Sequence, residues 1–269
     1  MGHDAKKLIS DFINDHLSGD LNNIRNFDFE TLYSSQKFGC PGRKFDCDDT
    51  NIMRAIYVIL WQDLLPGLSM NNCGSGSRQY RGETLNTFHT MFGKANPNYP
   101  GHFYGLEKYA PSDEIREKVR RFRKICHLLG NYAVLPNWRA DNTTINCYRG
   151  TNDWHDFFDQ FLIELYNILT ASPQQNDILK KLVSVNHFCF DKFMGIDGFC
   201  CFARGLLLTD YCTAGMIPVK IFAGNYHWKD ENDSTTYMHD AMQYIEQAEA
   251  IIRQRTDNMC KILFTKLYD

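Results

Sequence analysis

The sequence predicts a mainly α-helical protein, with one helical domain over residues 1–269 and a few short strands. Apolar residues recur at intervals of three and four along several long segments, as they do on one face of an α-helix. Clusters of Pro and Gly separate these segments. No internal repeat or low-complexity linker divides the chain, and its 43% of apolar residues can fill a single core.

Apolar stripes and caps predict the first helices. Residues 5–17 place their apolar side chains on one stripe, which is typical of a short amphipathic helix. Thr50 can cap a helix over about 51–65, because a hydroxyl side chain accepts hydrogen bonds from the first free N–H groups. That helix is apolar on most sides, so we expect it to be central, and Pro66 ends it.

Two further helices are predicted before the middle of the chain. A helix is expected from Glu83 to about Phe92, with Gly93 as its stop. Ser112 is expected to cap a charged helix with acidic residues in its first turn and basic residues near its end. This order of charges suits the helix dipole.

The central part of the chain mixes short strands and helices. Tyr132–Leu135 is predicted as a short strand, and residues 136–152 as loop or short strand. Asp153 is expected to cap an aromatic helix that begins with Trp154. Ser172-Pro173 has the pattern of a helix start, with Pro at the first helical position.

The last part of the chain predicts two more helices and a strand. Residues 195–213 are almost wholly apolar and are expected to form a helix, and residues 216–222 alternate like a strand. One long helix is predicted over about 234–267. Its apolar stripe either packs on the domain's own core or forms the seam of a homodimer.

Composition and charge limit the functional classes. The chain has 29 Lys+Arg and 32 Asp+Glu, a net charge of −3, so intrinsic disorder is excluded and a dedicated nucleic-acid binder is disfavoured. It contains no apolar run of about 18 residues, so no membrane span is expected. The first residues form no apolar signal region, and the ten cysteines form no C-x-x-C pair. This pattern predicts a cytoplasmic protein.

The first candidate site follows a Gly-rich loop at residues 71–82. A loop of this kind that leads into a helix N-terminus can bind an anion, and Arg81, Thr84 and Asn86 are the candidate ligand contacts. On the predicted helix, Glu83 and His89 lie near one face and could act as an acid–base pair. The alternative is a solvated loop whose glycines serve turns.

The second candidate site lies in residues 126–150, which contain four asparagines. Arg149 could present its guanidinium group to an anion, and Asn131 and Asn146 could position the ligand. Alternatively, these asparagines satisfy the loop backbone with their own side chains. We expect the segments 78–90 and 127–150 to lie together.

The order of these motifs resembles that of an uncharacterised bacterial protein family, a domain of unknown function. The resemblance implies a cytosolic bacterial protein and supplies no catalytic residues or cofactor. The matching pieces are Gly82–Phe88, His127–Asn131, Leu135-Pro136, Asn142–Gly150, the helix from Trp154, Val219–Phe222 and the last helix.

Two short motifs resemble nucleotide-processing enzymes. Leu129-Gly130-Asn131 with Val134–Pro136 is similar to part of a His-Me-finger (HNH-type) nuclease domain, which implies a metal ion and a general-base histidine on an upstream strand. The sequence has no Asp-His or Glu-His pair there. Cys147–Gly150 resembles the arginine motif of ADP-ribosyltransferases, whose other motifs this sequence lacks.

Arg120 and Arg121 precede His127 at the loose spacing found in some helical ribonuclease toxins. The alternative is a solvated basic face that ends at a helix cap. The spacing of the cysteines and histidines matches no standard zinc finger, so no metal ligand is assigned.

The sequence therefore predicts a protein that binds a phosphate-bearing ligand, such as a nucleotide, as a small molecule or within a nucleic acid. A metal-dependent nuclease of a defence or toxin system is one alternative. A non-enzymatic interaction protein that acts through its last helix is another. Whether the protein is an enzyme stays open, and no cofactor is assigned.

Overall fold

The computed structural model describes residues 2–32, 35–39, 47–74, 78–87, 112–151, 157–222 and 234–268. In these ranges the protein is mainly α-helical, as predicted, with one antiparallel pair of strands, β1 (Tyr80–Thr84) and β2 (Tyr132–Pro136). The helices are α1 (Gly2–His16), α2 (Asn51–Trp61), α3 (Asp113–Ile125), α4 (Ile145–Thr151), α5 (Phe158–Leu169), α6 (Asp177–Val185), α7 (His187–Phe190), α8 (Gly195–Gly205) and α9 (Ser234–Tyr268). Short 3-10 helices occupy Leu21–Asn26, Phe29–Leu32, Cys47–Asp49, Leu129–Asn131, Asp191–Phe193 and Thr209–Tyr211.

The core is built around α2 and α9. Nine of the eleven residues of α2 are buried, so this helix is central, as its apolar composition predicts. Helix α9 packs on α2, on α3 and on the 3-10 helices at Leu21–Asn26 and Leu129–Asn131. None of the helices in the described ranges is long and apolar enough to cross a membrane.

Several predicted caps and bounds are confirmed. The Thr50 side chain accepts a hydrogen bond from the Met53 N–H (3.4 Å), and Ser112 accepts one from the Ile115 N–H (3.3 Å). The predicted strand at Tyr132 forms as β2, and the long last helix forms as α9. These are the places where a local pattern and the tertiary packing favour the same structure.

The prediction of a helix from Glu83 to Phe92 is wrong at its start, because residues 80–84 form strand β1. Gly82 pairs with Val134 of β2 and donates its N–H to the Asp49 carboxylate (3.0 Å). A Cβ at Gly82 would overlap the Asp48 carbonyl oxygen, so this glycine permits a close backbone crossing rather than a turn. Residues 88–92 lie outside the described residues.

Two other boundaries in the centre are corrected. Residues 145–151, predicted as loop or short strand, form α4, and the Thr144 hydroxyl accepts a hydrogen bond from the Cys147 N–H (3.2 Å). No helix begins at Ser172-Pro173; α6 begins later, where the Asn176 side chain accepts from the N–H groups of Ile178 and Leu179. The predicted cap Asp153 lies outside the described residues.

The segment after residue 205 differs from the prediction. Helix α8 ends at Gly205 rather than near 213, and Leu207 adopts a positive φ of 58°. The Leu208 N–H donates to the Ala203 carbonyl (2.7 Å), the bond that closes a Schellman motif. Residues 216–222 form no strand, because the N–H groups of Ile221 and Phe222 donate to the buried Asp159 carboxylate instead.

Helix α9 is tied to β2 by the fully buried Arg255. Its guanidinium group donates to the carbonyl oxygens of Gly130, Tyr132 (2.9 Å), Leu206 (2.8 Å) and Leu207 (2.9 Å). Burial lowers the pKa of Arg255 to about 10, which still leaves the group charged at neutral pH. The four carbonyl oxygens satisfy a cation that would otherwise be unfavourable in the core.

Gly130 fixes the distance between α9 and the start of β2. Its N–H donates to the Thr256 hydroxyl (2.9 Å), and a Cβ at this position would overlap the Ile252 carbonyl oxygen. Two of the three nearest atoms, the Ile252 carbonyl oxygen and the Thr256 nitrogen, belong to the backbone of α9, so they cannot rotate aside.

We expect Gly130→Ala to lower the free energy of unfolding by about 3 kcal/mol, because the added methyl group must push α9 away. Urea denaturation followed by circular dichroism measures this change. Gly215→Ala is the matched control, since the nearest atom to its Cβ would be the Thr213 hydroxyl oxygen at 3.7 Å. Equal stability of the two variants would contradict the close contact.

Candidate functional site

The structure brings together the two predicted segments. Strands β1 and β2 pair in antiparallel register, with Glu83 opposite Ala133 and Thr84 opposite Tyr132. Helix α4 then places Asn146 and Arg149 against β1. Seven of the eight predicted site residues are described; the eighth, His89, lies outside the described residues.

Glu83 and Arg149 form a buried ion pair. The Arg149 Nη1 lies 3.0 Å from the Glu83 Oε2, and the two side chains are 1% and 3% exposed. Asn146 also donates to the Glu83 Oε2 (2.5 Å), so one carboxylate oxygen receives two donors. An ion pair this well enclosed holds the local fold in one arrangement.

The second terminal nitrogen of the Arg149 guanidinium group is also engaged. Its Nη2 donates to the carbonyl oxygens of Thr84 (3.1 Å) and Leu85 (3.4 Å). The guanidinium carbon lies 5.3 Å and 5.8 Å from the ring centroids of Phe158 and Phe161, within the range of cation–π contacts. Arg149 therefore joins β1, α4 and α5, and a ligand would have to displace neighbouring side chains to reach it.

Asn86 and Asn131 form a buried amide pair. The Asn86 N–H donates to the Asn131 Oδ1 (2.9 Å), and the Asn131 Nδ2 donates to the Asn86 carbonyl oxygen (2.7 Å). The Asn86 Nδ2 donates to the Tyr211 hydroxyl (2.7 Å). These bonds satisfy the backbone beyond the strand ends, which is the structural alternative considered for the asparagines.

Arg81 and Thr84 face the 3-10 helix at Cys47–Asp49. The Arg81 Nε lies 3.5 Å from the Oδ2 of the buried Asp49, and the Arg81 side chain is 29% exposed. The Thr84 hydroxyl donates to the Asp48 carboxylate at 3.4 Å. Among the predicted ligand contacts with charged side chains, Arg81 is thus the accessible one and Arg149 the enclosed one.

A second cluster of ionisable groups lies at the end of α3. His127 Nδ1 is 3.4 Å from the Glu30 Oε2 and 3.7 Å from the Asp28 Oδ1. Burial raises the pKa of Asp28, and burial lowers the pKa of His127, although each is opposed by the charge of its neighbours. These three ligand atoms all lie within 4.8 Å of one another.

Sequence reasoning missed this second cluster as a site. The sequence relates His127 only to Arg120 and Arg121 nearby, because Asp28 and Glu30 lie about a hundred residues earlier. The only local signal is the Asp-x-Glu spacing before a short 3-10 helix, which is common on protein surfaces. The pairing is visible only after α3 packs beside residues 28–30.

We expect Arg149→Ala to lower the free energy of unfolding by about 3–5 kcal/mol, because it leaves the Glu83 carboxylate buried without its cation. Lys181→Ala is the matched control, since Lys181 pairs with Asp141 at 2.9 Å on the exposed surface. That control should change stability by less than about 1 kcal/mol. Chemical denaturation of both variants measures the difference, and a small loss in Arg149→Ala would contradict a structural pair.

Comparisons with protein-family models, with curated proteins and with solved structures give no match to the chain. The resemblances drawn from short motifs therefore remain predictions, as do the nuclease and interaction-protein alternatives.

Proposed function

We propose that the protein binds a phosphate-bearing ligand, such as a nucleotide, on the exposed face of α3. Four basic side chains share this face, and we call them the cationic row: Arg116, Arg120, Arg123 and Lys124. The row lies opposite the buried side of the helix, which is formed by Val119, Phe122 and Ile125.

The spacing of like charges carries the proposal. Arg116, Arg120 and Lys124 follow one another at intervals of four residues, so each pair of neighbours lies on the same face. Like charges at this spacing destabilise a helix by about 0.2–0.5 kcal/mol per pair. Arg116 and Arg120 also pair with Asp113 and Glu117, three residues earlier, in exposed ion pairs that contribute little, so an anionic ligand would further relieve the repulsion between the basic groups.

The basic side chains on the two sides of α3 pair with different carboxylates. Toward α9, Arg121 lies 2.8 Å from Glu249, and Lys118 lies 3.9 Å from Glu246. These pairs join two helices and have a packing role. Arg121 and Lys118 are therefore not counted in the cationic row.

The ion pairs of the row itself are exposed. Arg120 pairs with Glu117 at 3.8 Å, and the two side chains are 55% and 74% exposed. Arg123 pairs with Glu30 at 3.5 Å. The exposed pair of Arg120 contributes little, so a phosphate group can replace the Glu117 carboxylate with stronger, bidentate hydrogen bonds to the Arg120 guanidinium group.

The proposal differs from the sequence prediction in the residues that contact the ligand. The Arg149 Nη1 and Nη2 donors are used within the protein, whereas Arg120, Arg123 and Lys124 are exposed. Helix α3 precedes the predicted site in the chain, because it leads through residues 126–131 into β2. Arg81, whose side chain is partly exposed, stays a predicted contact.

We expect the variant Arg120→Glu, Arg123→Glu, Lys124→Glu to bind ATP at least tenfold more weakly than the unchanged protein. The charge reversal removes three attractions between α3 and the anionic ligand and adds three repulsions. Isothermal titration calorimetry with ATP, inorganic phosphate and a short single-stranded RNA measures this and separates a small ligand from a nucleic acid. Free ligand at a concentration of 100 times its Kd should also stabilise the unchanged protein by about 2.7 kcal/mol.

The control variant is Lys180→Glu, Lys181→Glu, Lys261→Glu, which makes the same change in net charge at three exposed lysines elsewhere. It should keep the affinity of the unchanged protein. The proposal fails if none of the three probes binds, or if both variants lose affinity equally. In the second case only net charge matters and α3 holds no site.

A further inference from the structure

We infer that Asp28, Glu30 and His127 together bind a divalent transition-metal ion such as Mn²⁺ or Zn²⁺. The inference concerns the metal alone and does not depend on the phosphate ligand proposed above. We call these three residues the 28/30/127 cluster.

The spacing of the cluster fits a metal ion better than direct hydrogen bonds. His127 Nδ1 is 3.4 Å from the Glu30 Oε2 and 3.7 Å from the Asp28 Oδ1. Nitrogen-to-oxygen hydrogen bonds have lengths of about 2.7–3.2 Å. Ligands at about 2.0–2.2 Å from a tetrahedral ion are separated from one another by about 3.3–3.6 Å.

The histidine supplies an independent observation. Its Nδ1 atom is buried and has no hydrogen-bond partner in the described part of the chain. Buried polar atoms are nearly always hydrogen-bonded, so one that faces two carboxylates without a bond calls for an explanation. A metal ion between the three groups would satisfy this nitrogen and both oxygens at once.

Backbone contacts hold the ligands in register before any ion binds. The Glu30 N–H donates to the Asp28 Oδ1 (3.0 Å), which fixes that carboxylate at the start of the 3-10 helix. The Phe29 N–H donates to the His127 carbonyl oxygen (3.2 Å), so the two segments are joined at the site itself.

A positioning contact comes from α3. The Arg123 Nη2 lies 3.5 Å from the Glu30 Oε1, whereas the Oε2 of the same carboxylate faces His127. Partners of this kind orient the carboxylates that bind metals. Because Arg123 contacts the Oε1 of Glu30, the Oε2 that faces His127 stays available to a metal ion.

The donor set identifies the class of ion. Two carboxylates and one imidazole suit Mn²⁺ and Zn²⁺, and their two negative charges balance a divalent ion. Three protein ligands leave further positions for water, or for a phosphate oxygen held by the neighbouring Arg123.

Mn²⁺ is the better probe for the test. Exposed thiols such as that of Cys201 compete for Zn²⁺. Mn²⁺ prefers oxygen and nitrogen ligands, and its electron paramagnetic resonance signal in water falls when the protein binds it. The titration uses the full chain with MnCl₂ in a phosphate-free buffer.

We expect one Mn²⁺ per chain, with at least tenfold weaker binding in His127→Ala and in Glu30→Gln. Glu30→Gln keeps the size of the side chain, so it remains informative if His127→Ala unfolds. His187→Ala is the matched control, because His187 also lies 3.7 Å from a carboxylate, that of Asp191, but on the exposed surface. This control should bind Mn²⁺ as the unchanged protein does.

The inference is overturned if Mn²⁺ binding does not saturate, or if folded Glu30→Gln binds it with unchanged affinity. Circular dichroism melting shows which variants are folded. The ATP titrations are repeated with a chelator, which removes the metal ion. ATP binding that persists then belongs to the cationic row, so the two proposals are tested separately.

Discussion

The burial of the Arg255 guanidinium group is the constraint on which the arrangement of the candidate sites depends. A cation in the core is stable only if nearly all of its donors are bonded, and here the acceptors are backbone carbonyls from β2 and from the turn after α8. The bonds set the position of α9 relative to β2. Strand β2 then sets β1, and β1 carries Glu83 to Arg149. A charge in the last helix thus determines where residues about 170 positions earlier come to lie.

Two clusters of opposite charges among the described residues, Glu83 with Arg149 and the 28/30/127 cluster, differ mainly in how accessible they are to solvent. Glu83 and Arg149 are enclosed, with their atoms directed at each other and at backbone groups, so their chemistry is used in holding the fold. The 28/30/127 cluster and the cationic row lie at the surface, with distances that leave room for a ligand. Burial, rather than residue type, separates the structural cluster from the two groups that we propose as binding sites.

Local patterns were sufficient where packing agreed with them, as in α2 and α9 and the caps Thr50 and Ser112. They failed where a distant group decided the conformation. Leu207 ends α8 in a left-handed conformation that usually requires glycine, and its carbonyl oxygen meets Arg255. The site residues followed the same division. That residues 78–90 lie beside 127–150 was a hypothesis which no sequence pattern required, and the contact is made by the pairing of β1 with β2. The approach of His127 to residue 28 has only the weak Asp-x-Glu signal.

The bonds of Arg255 also constrain the order in which the chain can fold. The carbonyl oxygens of Gly130 and Tyr132 precede Arg255 by 125 and 123 positions, and those of Leu206 and Leu207 by 49 and 48. On a ribosome these oxygens must remain in contact with water until residue 255 has emerged. Contacts of such sequence separation close late and slow the folding rate. The nascent chain therefore completes the anchor between α9 and β2 only after synthesis has passed Arg255.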